Sequence, residues 1–253
     1  FLNCTKLDCT TADTSIASGE YLMFSQYFEG QDVQQLKKGT SEAEKVTVSF
    51  YVKGNANATY TCELFDTDNT RQNGQEFSVT TSWNRVSLTY DGDTTGAFDD
   101  DNAVSLRLFI WVHAGSDYTG GTFTSNSWHT TNNQRVGDNQ TSFYDSTDRT
   151  FFITGVQLEV GSQATPFEHR SFGEELALCQ RYYERYETSG GNYARFGIFQ
   201  CTGTTSAFGA IDYKVSKRTA AVSLDTVLTR LALSDDDNAM LPVTGISIDS
   251  NCN

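Results

Sequence analysis

The sequence predicts an all-β fold: an antiparallel jelly-roll β-sandwich, one connecting α-helix, and then a small C-terminal β-unit. Three observations predict it. Apolar and polar residues alternate with period two in short runs up to residue 160. Clusters of Gly, Asn, Asp, Ser and Thr separate the runs. No helical period occurs until residue 172, just after the serine that opens an S-x-x-E capping box. One sheet could not bury this many apolar faces, so two stacked sheets are required.

Residues 1–19 carry turn formers and two cysteines and are read as a lead-in arm. Residues 20–170 form the sandwich domain. Its first strand, 21–29, places Leu22, Phe24 and Phe28 on one face. Residues 31–45 are polar and predict a loop or short helical turn. Residues 46–53 alternate cleanly, Val46, Val48, Phe50 and Val52 against Thr47, Ser49, Tyr51 and Lys53, as a half-buried antiparallel strand does. Residues 59–66 repeat the pattern with Tyr60, Cys62 and Leu64, and 66–74 read as a polar loop. Further strands are predicted at 75–80 and 83–90, then an acidic loop at 91–102. The strongest strand, 104–113, precedes a long polar stretch, 114–150. The closing strand, 151–160, is rich in β-branched and aromatic residues, with Gly155 as a bulge position.

Pro166 then restricts Thr165 to extended backbone. Ser171 and Glu174 form the capping box of a helix spanning 171–187. Leu176, Cys179 and Tyr183 share one stripe of it, and Leu178, Tyr182 and Tyr186 another. Residues 188–253 hold strand-like runs at 193–200, 207–215, 220–224, 227–233 and 243–248. A unit this small is marginal alone and is expected to dock on a partner or on symmetry mates.

Eighteen basic residues against 32 acidic ones, a formal charge of −14, argue against a nucleic-acid partner, which requires a basic patch. The absence of a long apolar run argues against insertion in a membrane. No charged-then-apolar leader opens the chain, which reads as a processed chain or a fragment of a longer one. The six cysteines, Cys4, Cys9, Cys62, Cys179, Cys201 and Cys252, contain no C-x-x-C pair, and the three histidines are scattered, so no zinc site is expected. Cys62 and Cys179 read as small core residues. Cys4 with Cys9, and Cys201 with Cys252, could pair, but free thiols are the expectation in a chain of this length.

Three constellations bear on function. In 104–113, Val104, Leu106, Leu108, Ile110 and Val112 make one face, and Arg107, Phe109, Trp111 and His113 the other. An aromatic and cationic strip suits sugar stacking and hydroxyl hydrogen bonds, or a subunit contact; the alternative is a central strand buried on both sides. The stretch 114–150 adds Tyr118, Trp128, His129, Phe143 and Tyr144 among small polar residues, the composition of a binding loop, or of a loop folded over the sheet. Arg107, Phe109, Trp111, His113, Tyr118 and Trp128 are therefore the candidate ligand-binding residues. In the acidic loop, Asp99, Asp100 and Asp101, with Asp91 and Asp93, are calcium candidates set against a solvated turn. Asp235, Asp236 and Asp237 are a similar run. No cofactor is otherwise expected. No nucleophile elbow, H-E-x-x-H or phosphate loop occurs, so an enzyme is not expected.

The string GVQLEVGSQATPFEHRSFGEELALCQRYYERY, together with TTADTSIASGEY, FEGQDVQQLKKGTSEAEKVTVSFYVKGN, ELFDTDNTRQ and the DGDTTGAFDDDN to HAGSDYTGGTF run, resembles a module of tail-fibre and other structural proteins of tailed bacteriophages. The resemblance covers residues 10–186, and its signature is Q-L-E-x-G…A-T-P-F-E…C-Q-R-Y-Y. That module is similar in turn to carbohydrate-binding jelly rolls. The resemblance implies a virion protein at a tail fibre or on the capsid surface, homotrimeric, bound to other virion proteins and engaging a host-surface glycan. Tyr182, Tyr183 and Tyr186 are then the expected oligomer contacts. Related modules hold a structural calcium on the closing strand; here Ile153, Thr154, Gly155 and Val156 offer no carboxylate. The alternatives are a capsid-decorating fibre or tail adaptor without a receptor role, and a carbohydrate-binding module of a secreted enzyme.

Overall fold

The computed structural model describes residues 1–186, 197–219, 232–234 and 240–245. Two compact units are present, Phe1–Glu168 and His169–Asn253. The first is the β-sandwich. Its strands are β1 (Thr5–Asp8), β2 (Tyr21–Glu29), β3 (Val46–Gly54), β4 (Ala58–Asp66), β5 (Arg71–Val79), β6 (Asn84–Tyr90), β7 (Val104–Ala114) and β8 (Thr150–Val160). They form two four-stranded antiparallel sheets, ordered β1-β8-β3-β6 and β2-β7-β4-β5, the jelly-roll arrangement expected from the alternation.

Period-two patterning places Val48, Phe50 and Val52 of β3 opposite Tyr60, Cys62 and Leu64 of β4 and Leu106, Leu108 and Ile110 of β7 in one core. Aromatic edges lock the sheets together: Phe50 meets Phe77 at 5.0 Å and Tyr60 meets Phe151 at 5.5 Å, both edge-on. Tyr90, fully buried on β6, donates its hydroxyl across the gap to the Cys62 carbonyl at 2.8 Å. Burial pushes both the Tyr90 hydroxyl and the Cys62 thiol up, the latter to about 12, so the thiol is a neutral packing group.

Two features depart from the sequence reading. The lead-in arm contains β1, which pairs with β8 from Thr5↔Ile153 to Asp8↔Thr150, and Cys9 behind it is buried in the core. Four residues of mixed polarity carry no strand signal of their own; the edge of β8 supplies it. The predicted loop 66–74 shrinks to a turn, because β5 begins at Arg71. Asp66 accepts the Asn69 amide at 3.0 Å there, and Thr70 adopts φ 51°. The polar run Gln72-Asn73 concealed the strand because both side chains are buried against polar partners, not in the apolar core. The polar stretch after β2, expected as a loop or short helical turn, forms two 3-10 turns, Gly30–Asp32 and Gln34–Leu36, which bury Val33 and Leu36.

Gly155 is the expected bulge: its φ is +61°, and the β3–β8 register slips between Ser49 and Tyr51. The Q-L-E and A-T-P-F-E motifs are two halves of one clamp. Gln157 accepts the Glu168 amide at 2.8 Å and donates to Thr165 Oγ1 at 3.3 Å, while the Glu159 carboxylate accepts both the amide and the hydroxyl of Thr165. Arg85 of β6 donates to the Thr165 carbonyl. Desolvation works against the Glu159 charge, but the Thr165 and Gln157 hydrogen bonds prevail and hold its carboxyl below the usual range.

In the second unit, α2 (Phe172–Gln180) starts on the predicted capping box, with Ser171 and Glu174 bonded reciprocally; α1 is a single turn, Ser116–Thr119, in the first unit. The helix ends at Gln180, short of 187, because segment 217–218 caps its open carbonyls: Lys217 Nζ donates to the Gln180 carbonyl at 2.5 Å and the Arg218 amide to that of Arg181 at 3.2 Å. Cys179 is exposed and not a core residue. Beyond it lie the antiparallel pairs β9 (Ile198–Cys201) with β10 (Ala207–Ala210), and β11 (Ala232–Ser234) with β12 (Met240–Pro242). The predicted run 220–224, Cys252 and the Asp235–Asp237 run lie outside the described residues. Cys4, Cys9 and Cys201 are free thiols.

Candidate functional site

The outer face of the β2-β7-β4-β5 sheet carries the sequence-predicted strip. Cross-strand register sets Tyr27, Arg107 and Phe65 side by side, then Ser25, Phe109 and Glu63, then Met23, Trp111 and Thr61. The stretch between β7 and β8 folds over part of this array. Its backbone extends the β5 edge through a Gln72–His129 bridge, and the Thr141 and Phe143 amides donate to the carbonyls of Thr59 and Val112. Gly74 allows the close approach, since a Cβ there would stand 2.8 Å from the Arg135 carbonyl oxygen.

Under that strap lies a second cluster of Phe109, Trp111 and Val136, flanked by Met23, Phe65 and Tyr118. Arg135 is its centre. The guanidinium lies 4.7 Å from the Phe65 ring, 5.0 Å from Trp111 and 5.6 Å from Phe109. It grips Glu63 with two hydrogen bonds, Nε to Oε1 at 2.8 Å and Nη2 to Oε2 at 2.9 Å, and Trp111 Nε1 donates to the same carboxylate at 2.8 Å. Burial pushes the fully buried Glu63 carboxyl up, and the Arg135 and Trp111 contacts pull it back.

Phe109, Trp111 and His113 are therefore buried, at 3%, 1% and 2% exposure, and do not form an open platform. His113 shares a hydrogen bond at 2.9 Å with Ser142 and packs edge-on against Tyr144; burial lowers its pKa. Of the two sequence-level alternatives, the strand buried on both sides describes this half of β7, and the long stretch is a cover. Tyr118, half-buried, stacks between Trp111 and Tyr21.

The β2 side of the face is the more open half. Tyr21 and Tyr27 at opposite ends of β2 are half exposed, with Met23, Ser25, Phe65 and Arg107 between and beside them. Arg107 lies 5.0 Å over the Tyr27 ring and 6.0 Å from Phe65. Six residue steps of extended chain separate the two tyrosines, roughly 20 Å. A row of rings with one cation at this spacing can stack sugar faces and bond their oxygens. Tyr27 and Phe65 were missed in the sequence. Their alternation was visible, but only the pairing register puts them on either side of Arg107.

The remaining candidates do other things. Trp128 donates Nε1 to the Asp91 carbonyl at 2.7 Å and packs against the core edge. Asp99, Asp100 and Asp101 are exposed and do not converge: the Asp101 carboxylate accepts the Ala103 amide, and among the described residues no three acidic, His or Cys groups gather for a metal. The buried aspartates are instead Asp66 and Asp93, which face Lys38. Its Nζ lies 2.5 Å from Asp66, 3.2 Å from Asp93 and 2.8 Å from each of the Thr95 and Gly96 carbonyls. Arg71 completes the group on Asp93, and its hydrogen bond with the Thr95 and Lys38 contacts outweighs desolvation to lower that carboxyl's pKa. A pocket of about 400 Å³ lies beside this cage, walled by Val33, Ala97 and Phe98, but its two lysines are already committed, Lys38 to the cage and Lys37 to Glu44. Tyr182, Tyr183 and Tyr186 follow α2 and are exposed.

No family profile and no curated protein matches the chain. One solved structure that it resembles is described as "CBM4 structure and function": the match covers 55% of this chain and 60% of that one, at 12% identity and a TM-score of 0.31.

Proposed function

We propose that this chain is a tailed-phage virion component, at a tail fibre or fibre tip, whose sandwich engages a host-surface glycan through the open half of the outer face. The observation that carries the glycan reading is the Tyr27–Arg107–Phe65 stack at the margin of the strap, where the Tyr27 ring is exposed. The phage assignment is supported by the Q-L-E and A-T-P-F-E signature, whose members form one clamp within the sandwich. Exposed Tyr182 and Tyr183 beside a small β-unit fit a homotrimer. The role is binding without catalysis.

Binding of the full chain to an array of bacterial surface polysaccharides, with Tyr27→Ala as control, tests the glycan reading; binding unaffected by that change refutes the site. Antibody labelling of intact particles tests the location, and solution mass tests the trimer. A structural virion role without a receptor is the second reading, favoured by the strap that closes half the strip around Arg135.

A further inference from the structure

Arg107 differs from every other arginine of the sandwich unit. Arg71 bonds Asp93, Arg85 bonds Ser49 and Thr165, Arg135 bonds Glu63, and Arg149 bonds Asp145. Among the described residues the Arg107 side chain has no hydrogen-bonded or ionic partner, only the rings of Tyr27 and Phe65. Its Nε is buried without an acceptor. In a chain with 32 acidic residues, a carboxylate partner was readily available in sequence terms, and none is placed there. A desolvated donor left unsatisfied is costly and calls for an explanation.

The surroundings specify what the unpaired guanidinium can take. The neighbouring cation on this face, Arg135, is fully engaged with Glu63, and Glu63 is 0% exposed, so neither competes for a ligand. Aromatic rings on adjacent strands hold the guanidinium plane and bury its Nε, so the two Nη nitrogens are the donors a ligand can reach. Planar, charge-assisted recognition of an oxyanion is the chemistry an arginine held in this way performs best. The flanking rings of Tyr21, Tyr27 and Phe65 supply faces for the apolar sides of sugars.

Resting on the glycan-binding reading above, we propose that this site selects saccharides bearing an oxyanion, a uronate carboxylate or a sulfate ester, with Arg107 as the anion contact and Tyr27 and Phe65 as stacking platforms. The ligand's charge answers the one uncommitted cation on the face, and its ring answers the aromatics.

The test measures binding of the full chain to polygalacturonate, to a sulfated galactan and to a neutral galactan, each at low and high salt. The expected result is preference for one or both acidic polymers, weakening about tenfold as salt screens the contact. Arg107→Met, which keeps the apolar stem, should lose about ten- to a hundredfold in acidic binding and keep the wild-type unfolding midpoint. Arg107→Lys should recover part of the loss. The two acidic arms separate carboxylate from sulfate. Equal or better binding to the neutral polymer, unchanged in Arg107→Met, overturns the inference and leaves glycan binding standing. Binding to none of the three, and to no polysaccharide on the bacterial array, overturns the glycan reading itself.

Discussion

Replacing Arg135 with Met leaves the Glu63 carboxylate buried with one donor, Trp111 Nε1, where it had three. The Glu63 side chain is 0% exposed and that of Arg135 12%, so water cannot replace the lost contacts. Breaking one side of such a pair costs about 3–5 kcal/mol. Loss of the stacking on Phe65 and Trp111 adds about 0.5–2 kcal/mol, which a Met sulfur against the same rings partly offsets. For a unit of this size, the ion-pair loss alone lowers Tm by about 6–20 °C. The penalty must also depend on pH. Burial already raises the Glu63 carboxyl above its unfolded value, and losing Arg135 raises it further. A carboxyl raised in the folded state holds a proton that the unfolded chain has released, so stability falls as pH climbs from the unfolded to the folded value. That window reaches higher in the variant, so its deficit against wild type should be larger near about pH 8 than near about pH 5. Denaturant unfolding followed by Trp fluorescence at both pH values measures it. A deficit below about 1 kcal/mol at the higher pH, the range of an exposed pair, or one that does not change with pH, would refute the account.

Lys38→Met should destabilise the sandwich by about 3–5 kcal/mol, since it strands Asp66 and Asp93 in their buried cage, and adding Asp66→Asn should recover part of that in the same unfolding assay. Gly155→Ala should cost about 1–3 kcal/mol, because the bulge requires φ +61° and a Cβ would run into the Phe1 ring; a calorimetric Tm equal to wild type contradicts this. The Glu159 carboxyl is depressed in the folded state, so the support it gives Thr165 is present above the unfolded carboxylate pKa and is lost as pH falls through the lower folded one. Hydrogen exchange should show the Thr165 amide losing protection in acid, while the Glu168 amide, held by neutral Gln157, keeps it; parallel loss at both amides counts against the clamp.

Much of the sandwich could be read directly because each strand declares itself within a few residues. Val46 to Val52 alternates, and so does Tyr60 to Leu64, and both are strands in the structure. β1 and the first half of β5 were hidden for the opposite reason: their residues are polar, and a neighbouring strand or a polar cover decides their state. The helix start was legible in the Ser171–Glu174 box, while its end depends on Lys217 and Arg218, far along the chain. The site followed the same division. Arg107 was identified as a candidate from its place on the strongest strand, but Phe109, Trp111 and His113 on the same face proved to be under cover.

By itself the sequence determined that oily and wet residues would line opposite faces of short strands, that two sheets would be needed to hide the oily ones, and where a capped helix would begin. Those are local properties of period, turn chemistry and capping. Only the tertiary structure decided which outer face is open. That depended on a distant arginine reaching Glu63 and drawing its loop over half a sheet, and on strand register placing Tyr27 and Phe65 beside Arg107. Contacts between segments so far apart leave no periodic trace in the chain, because the partner that covers or exposes a side chain is not among its sequence neighbours.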